Sequence, residues 1–143
     1  MRLIDTNILV HAVDEDSPKR QRAQDVLNYY LGTGEAVVSL QSILEMYSAL
    51  TKSMSTAKAK FAAEEILKAS SFKKIHSDKD DFFEALDMAH KNGLKRSEVF
   101  DALLAASAKK NGITTLLTDN PKHFQGLGLK VETLETATLS KEF

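Results

Sequence analysis

The segment LIDTNILV, residues 3–10, decides the architecture. Leu3 and Ile4 read as a short buried strand, Asp5 ends it, and apolar residues resume at helical spacing, so the chain turns from strand to helix around one carboxylate. Nearly the same string returns as LLTDN at 116–120, where 114–118 reads as a strand and Asn120 with Pro121 opens a brief helical turn. Acids at two strand ends matter in an α/β protein, because ligands collect outside the carboxyl ends of parallel strands.

Working outward, punctuation residues divide the rest into alternating strands and helices. A strand over 2–5 is followed by a helix over 7–13, and Ser17 with Pro18 marks the start of a helix to about 31 that GTG at 32–34 stops. A strand at 36–39, a helix at 42–52, a helix capped by Ser55 to about 69 and a strand at 73–76 come next. Asp78 caps a helix to Asn92, Ser97 caps one through Lys110 that Asn111 and Gly112 terminate, and 130–134 reads as the last strand. The expectation is a three-layer α/β/α fold with a central, mainly parallel sheet, one domain spanning residues 1–143.

Composition excludes several classes. Apolar residues are 43% and charged residues 27%, ordinary for a folded chain, and 19 basic against 20 acidic residues leave a net charge of -1. Nucleic-acid contact therefore needs a local patch. With no cysteine, disulfides, zinc ribbons and thiol nucleophiles are ruled out. Asp5, Thr6, Asn7, His11 and the acidic run 14–16 break the first apolar segment, so it is neither a signal-peptide core nor a membrane span; a cytoplasmic protein is expected.

The stretch VFDALLAASA at 99–108 has eight apolar residues in ten, so its helix is expected to be buried almost all round. Asp101 lies on the stripe of Leu104, Ala105 and Ala108, with no Lys or Arg within four residues on its helix. A carboxylate placed there needs a partner or a cation, unless the helix dipole alone supports it. Asp5 and Asp119 stand at strand ends, where helix capping explains each one equally well in isolation. Glu45, in QSILEMYSAL at 41–50, shares a helix face with Gln41, Ser48 and Lys52, which fits a solvated face as well as a site.

If the fold gathers these acids, electrostatics dictates the consequence. Two carboxylates about 4 Å apart repel by on the order of 4 kcal/mol at an effective dielectric of 20, so the cluster requires protons or a cation. Hard oxygens, with Thr6, Asn7, Thr118 and Asn120 as supporting polar neighbours, suit Mg²⁺ or Mn²⁺. His11, His76, His90 and His123 show no ligand spacing and read as surface or capping residues.

Taken together, LIDTNILV, a Glu in the helix after the second strand, FDALLAASA and LLTDNPKHF resemble PIN-domain ribonucleases, in particular VapC-like toxins of type II toxin-antitoxin pairs. The resemblance covers essentially the whole chain. It implies an acidic site for one or two divalent metals, with Asp5 and Asp101 matching the family's metal-binding aspartates and Glu45 its second acid. The fourth acid departs from the pattern: its place is Asn120, with Asp119 one residue early. Either Asp119 swings in or Asn120 contributes a neutral oxygen. Metal-assisted hydrolysis of RNA phosphodiesters to 3′-hydroxyl and 5′-phosphate ends is the implied chemistry, with a homodimer and a neutralising antitoxin as implied partners.

Substrate RNA would meet cations flanking the pocket, and Lys19, Arg20 and Arg22 form one candidate patch, Lys91, Lys95 and Arg96 another. Tyr29, Tyr30 and Phe61 read as core or dimer contacts. The broad apolar surface of the helix carrying Phe61 reads mainly as core. Two rivals remain. A phosphatase with Asp5 as nucleophile, as in haloacid-dehalogenase-like proteins, wants a second Asp where Asn7 stands. A catalytically idle PIN-like module binding RNA or protein would keep the fold without the chemistry.

Overall fold

Five short parallel strands form the middle layer of the computed structural model, which describes residues 1–137 and 139. In chain order they are β1 (Arg2–Ile4), β2 (Ala36–Ser39), β3 (Lys73–Ile75), β4 (Thr115–Leu117) and β5 (Lys130–Glu132). The helices are α1 (Thr6–Val13), α2 (Arg20–Thr33), α3 (Leu40–Leu50), α4 (Thr56–Lys68), α5 (Lys79–Asn92) and α6 (Glu98–Lys110), with a 3₁₀ turn at Pro121–Phe124. Spatial order is β3-β2-β1-β4-β5, every pairing parallel, with Leu3 opposite Val37 on one side and Leu116 on the other.

Alternation along the strands sorts the core into two halves. Leu3, Val37, Ile75 and Leu116 pack with Ala105, Ala108 and Phe124, the α6 side. Ile4, Ala36, Val38 and Leu117 pack with Ile8, Val26, Ile43 and Met46, the side of α1 to α3. Both faces are covered, so β2 is buried at all four residues, as a central parallel strand must be. The result is the expected α/β/α arrangement. Strand order reverses between β1 and β4, and such a switch point opens a crevice at the strand carboxyl ends.

Caps hold where the local chemistry is complete. Ser55 accepts the Lys58 N–H, Asp78 and Asp81 form a reciprocal capping box, and Gly93 closes α5 at φ 64°, a conformation that suits glycine. Ser17 is a correction: α2 starts at Arg20, because the Ser17 hydroxyl is taken up by the Lys19 N–H and the His11 ring and closes a turn instead. Ser97 flanks α6 with helical dihedrals and no side-chain cap bond; Glu98 instead accepts the Lys95 N–H, and Arg96 takes φ 55° in that tight entry.

Two expectations about packing also shift. On α4 the core takes Ala59 and Ala63, whereas Phe61 and Leu67 are exposed; Tyr30 is fully buried with the Arg2 guanidinium over its ring. The helix with Asp101 is buried along most of its length, yet Phe100 is exposed. No helix among the described residues is long and apolar enough to cross a membrane.

Candidate active site

Asp5 leaves β1 at the switch point and caps α1, so the capping reading and the site reading describe the same residue. Its Oδ1 accepts the Thr6 N–H at 2.8 Å; its Oδ2 accepts Thr118 Oγ1 at 2.7 Å and Asn7 Nδ2 at 3.3 Å. Thr118, fully buried after β4, also accepts from Asn7 Nδ2 and the Asn120 N–H, which leaves its hydroxyl no freedom. Burial raises the Asp5 pKa above the usual carboxylate range; bonds from Thr118 and Thr6 oppose the rise and the Glu45 charge adds to it.

Asp101 reaches the same recess from the first turn of α6. Burial, then the Asp5 charge, lift its pKa to about 6, against a lowering influence of His123. Among the described residues no hydrogen bond reaches this carboxylate, and the His123 Nδ1 stands 3.6 Å from its Oδ2. The contrast with Asp5 is direct. One acid is cradled by three donors; the other faces it with little to satisfy its charge.

Glu45 on α3 is exposed at the mouth of the recess, its Oε2 accepting Thr6 Oγ1 at 3.3 Å and its Oε1 accepting Gln41 Nε2 at 2.8 Å. Asp5, Thr6, Glu45 and Asp101 therefore share one wall system, together with Ser39, Gln41, Ser42 and Ser77. Asp119 does not line it. Its Oδ2 lies 2.7 Å from Lys19 Nζ and 3.1 Å from His11 Nε2. Burial would raise its pKa, but the bonds from Lys19 and His11 outweigh that and hold it below the usual value. Asn120, the position the family pattern points to, lines the open depression on the other side of Asp5 and Asp101.

Of the candidate cations, Lys19 is occupied by Asp119, and Arg22 donates to the carbonyls of Leu134 and Ala137, clamping the segment after β5. Arg20, Lys91, Lys95 and Arg96 are exposed. Two histidines that spacing passed over stand beside the acids: His11 bridges Ser17 to Asp119, and His123 borders Asp101. His123 follows Asp119 by four residues, within reach of the same strand end, and that is the signal the sequence carried.

Among the described residues, no three acidic or imidazole groups stand close enough to hold one ion as they are. The donor set nonetheless suits a hard divalent cation, because two half-buried carboxylates with raised pKa values line one recess beside hydroxyls and amides. Asp5 and Asp101 would hold it, with Glu45 at the mouth.

The family model for the PIN domain matches residues 2–127, and the chain belongs to the PIN domain family. Its fold is that of solved VapC structures. VapC20 of Mycobacterium tuberculosis, described as a sarcin-ricin loop cleaving toxin, superposes with a TM-score of 0.73 at 16% identity, covering 88% of this chain and 95% of that one. A toxin-antitoxin complex from Klebsiella pneumoniae gives 0.65 at 24% identity, covering 94% and 98%. DNA-bound VapBC from Salmonella typhimurium gives 0.70 at 18% identity, covering 94% and 99%. At these identities the likeness is one of fold. No curated protein sequence matches the chain.

Proposed function

We propose that the protein is a divalent-metal-dependent endoribonuclease and the toxin of a toxin-antitoxin pair. The observation that carries the reading is the juxtaposition of Asp5 and Asp101 in one recess at the β1/β4 switch point, with the Asp101 pKa lifted to about 6. Bound there, Mg²⁺ or Mn²⁺ would supply Lewis acidity toward a phosphoryl oxygen and an acidified water. The chain's own part is positioning. Thr118 and Asn7 lock the Asp5 rotamer, Thr6 and Gln41 tether Glu45, and the exposed Glu45 carboxylate orients the attacking water and takes its proton. Attack on phosphorus breaks the bond to the 3′ oxygen, which takes a proton from solvent, and leaves 3′-hydroxyl and 5′-phosphate ends.

Arg20, Lys95 and Arg96 are the exposed cations best placed in sequence to meet RNA phosphates, and Lys19 serves by neutralising Asp119. The toxin role rests on family membership and on neighbours that are themselves toxins or toxin-antitoxin complexes. It brings with it an antitoxin partner, a homodimer and a place in the cytoplasm. The engagement of Asp119 by Lys19 and His11 favours the second reading, an idle module that binds RNA or protein without cutting.

Incubation of mixed RNA with the protein in Mg²⁺, Mn²⁺ or EDTA, beside Asp5→Asn and Asp101→Asn, tests the choice. The nuclease reading expects metal-dependent products absent in both variants. Binding with no product in either metal would establish the idle module.

A further inference from the structure

Phe100 immediately precedes Asp101, is 57% exposed on a helix whose middle, from Ala102 to Ala108, is largely buried, and lines the recess with Asp5, Glu45 and Asp101. Among the described lining residues it is the one aromatic ring. The recess itself has a volume of about 20 Å³, enough for a water molecule and far too little for a nucleobase. A phosphodiester presented to these carboxylates must therefore leave its bases outside, on the rim. Across Asp5 and Asp101 the surface opens into a shallow depression of about 310 Å³ bordered by Val10, Ala49, Asn120 and His123, which gives the strand a path onward.

We infer that an unpaired nucleobase beside the scissile phosphate stacks on Phe100, which makes this ring a positioning residue for the substrate strand. The inference rests on the nuclease reading and adds to it a residue that holds the RNA. Geometry supplies the reason for the unpaired state. In a duplex each base face is covered by its neighbour, and a ring on the protein surface gains a partner only when a base is splayed out of the stack. An aromatic side chain is also the type suited to this task, because every base offers a π-face whatever its identity. Discrimination between sequences is then weak at this position, and discrimination between paired and unpaired RNA is strong.

The apolar residues exposed on α5, namely Phe82, Phe83 and Leu86, supply the control, since they line neither the recess nor the depression. Cleavage of a mixed-sequence single-stranded oligoribonucleotide should fall on the order of 5- to 100-fold in kcat/KM for Phe100→Ala. Phe100→Tyr and Phe100→Trp should restore most of it, Phe100→Leu should not, and Phe82→Ala should match the native protein. The same oligonucleotide annealed to its complement should be cut poorly by all of them. Because the chain has no tryptophan, Phe100→Trp also gives a single reporter, whose fluorescence should be quenched by single-stranded RNA and not by duplex.

Native rates in Phe100→Ala, or full rescue by Phe100→Leu, would overturn the inference while leaving the nuclease reading intact. So would Phe100→Ala cutting normally but escaping a protein inhibitor that stops the native chain, which would make the ring a protein contact. Absence of any cleavage by the native protein in Mg²⁺ or Mn²⁺ would instead remove the nuclease reading, and this one with it.

Discussion

LIDTN and LLTDN end adjacent strands at one switch point, yet their aspartates meet opposite surroundings. Asp5 is half-buried among neutral donors, shares a recess with Asp101 and Glu45, and has a raised pKa. Asp119, at the end of the adjacent strand, is paired with Lys19 and hydrogen-bonded to His11 and has a lowered one. Strand ends determine where an acid stands; the charges supplied by neighbouring helices determine whether it is left wanting a cation. By that criterion Asp5 and Asp101 are the pair proposed to hold a metal, and Asp119, bonded to Lys19 and His11, is proposed to belong to the frame of the loop before the 3₁₀ turn.

Substitutions break or sharpen this contrast in a definite order. Asp5→Asn and Asp101→Asn should each lower RNA cleavage by more than about 100-fold, since even supporting neighbours of a metal ligand are worth 10- to 100-fold. Thr118→Val removes the hydroxyl that donates to Asp5 and accepts from Asn7 and Asn120, and should cost about 10- to 100-fold in rate or metal affinity, measured by activity against Mn²⁺ concentration. Asp119→Asn should cost less than about 10-fold in activity if Asp119 is part of the frame; a loss equal to that of Asp5→Asn would erase the distinction.

The smallest effect expected is on stability. Lys19 is 40% exposed, so its pair with Asp119 is screened, and Asp119→Asn should destabilise by about 0.5–1 kcal/mol near neutral pH. The sign with pH follows from the lowered Asp119 value. Its contribution is complete above the unfolded carboxylate pKa of about 4 and fades as pH falls through the folded one, so native and variant melting curves should converge in acid.

Much of this was legible in the residues themselves. Asp101 stood out because a carboxylate inside an apolar helix is expensive, and Ser55, Asp78 and Gly93 announced helix ends through chemistry contained within a few positions. What stayed hidden depends on distant partners. Lys19 and His11 reach Asp119 across 100 and 108 residues, so no local pattern could show that this acid is neutralised. Ser17 looked like a helix cap because its competing partner, the His11 ring, belongs to another helix. Phe100 fits an apolar run by type, and only the docked position of α6 shows that its ring points away from the core.

The most direct measurement is thermal unfolding of the native protein and Asp101→Asn at pH 7, each in EDTA and in Mn²⁺. With its folded pKa raised to about 6, ionised Asp101 costs the metal-free fold on the order of 2–3 kcal/mol, a penalty absent below the unfolded pKa and complete above the folded one. The account predicts that Asp101→Asn melts higher than the native protein in EDTA, and that Mn²⁺ raises the native melting temperature while leaving the variant unmoved. A native protein indifferent to Mn²⁺, with a variant that melts lower in EDTA, would contradict it.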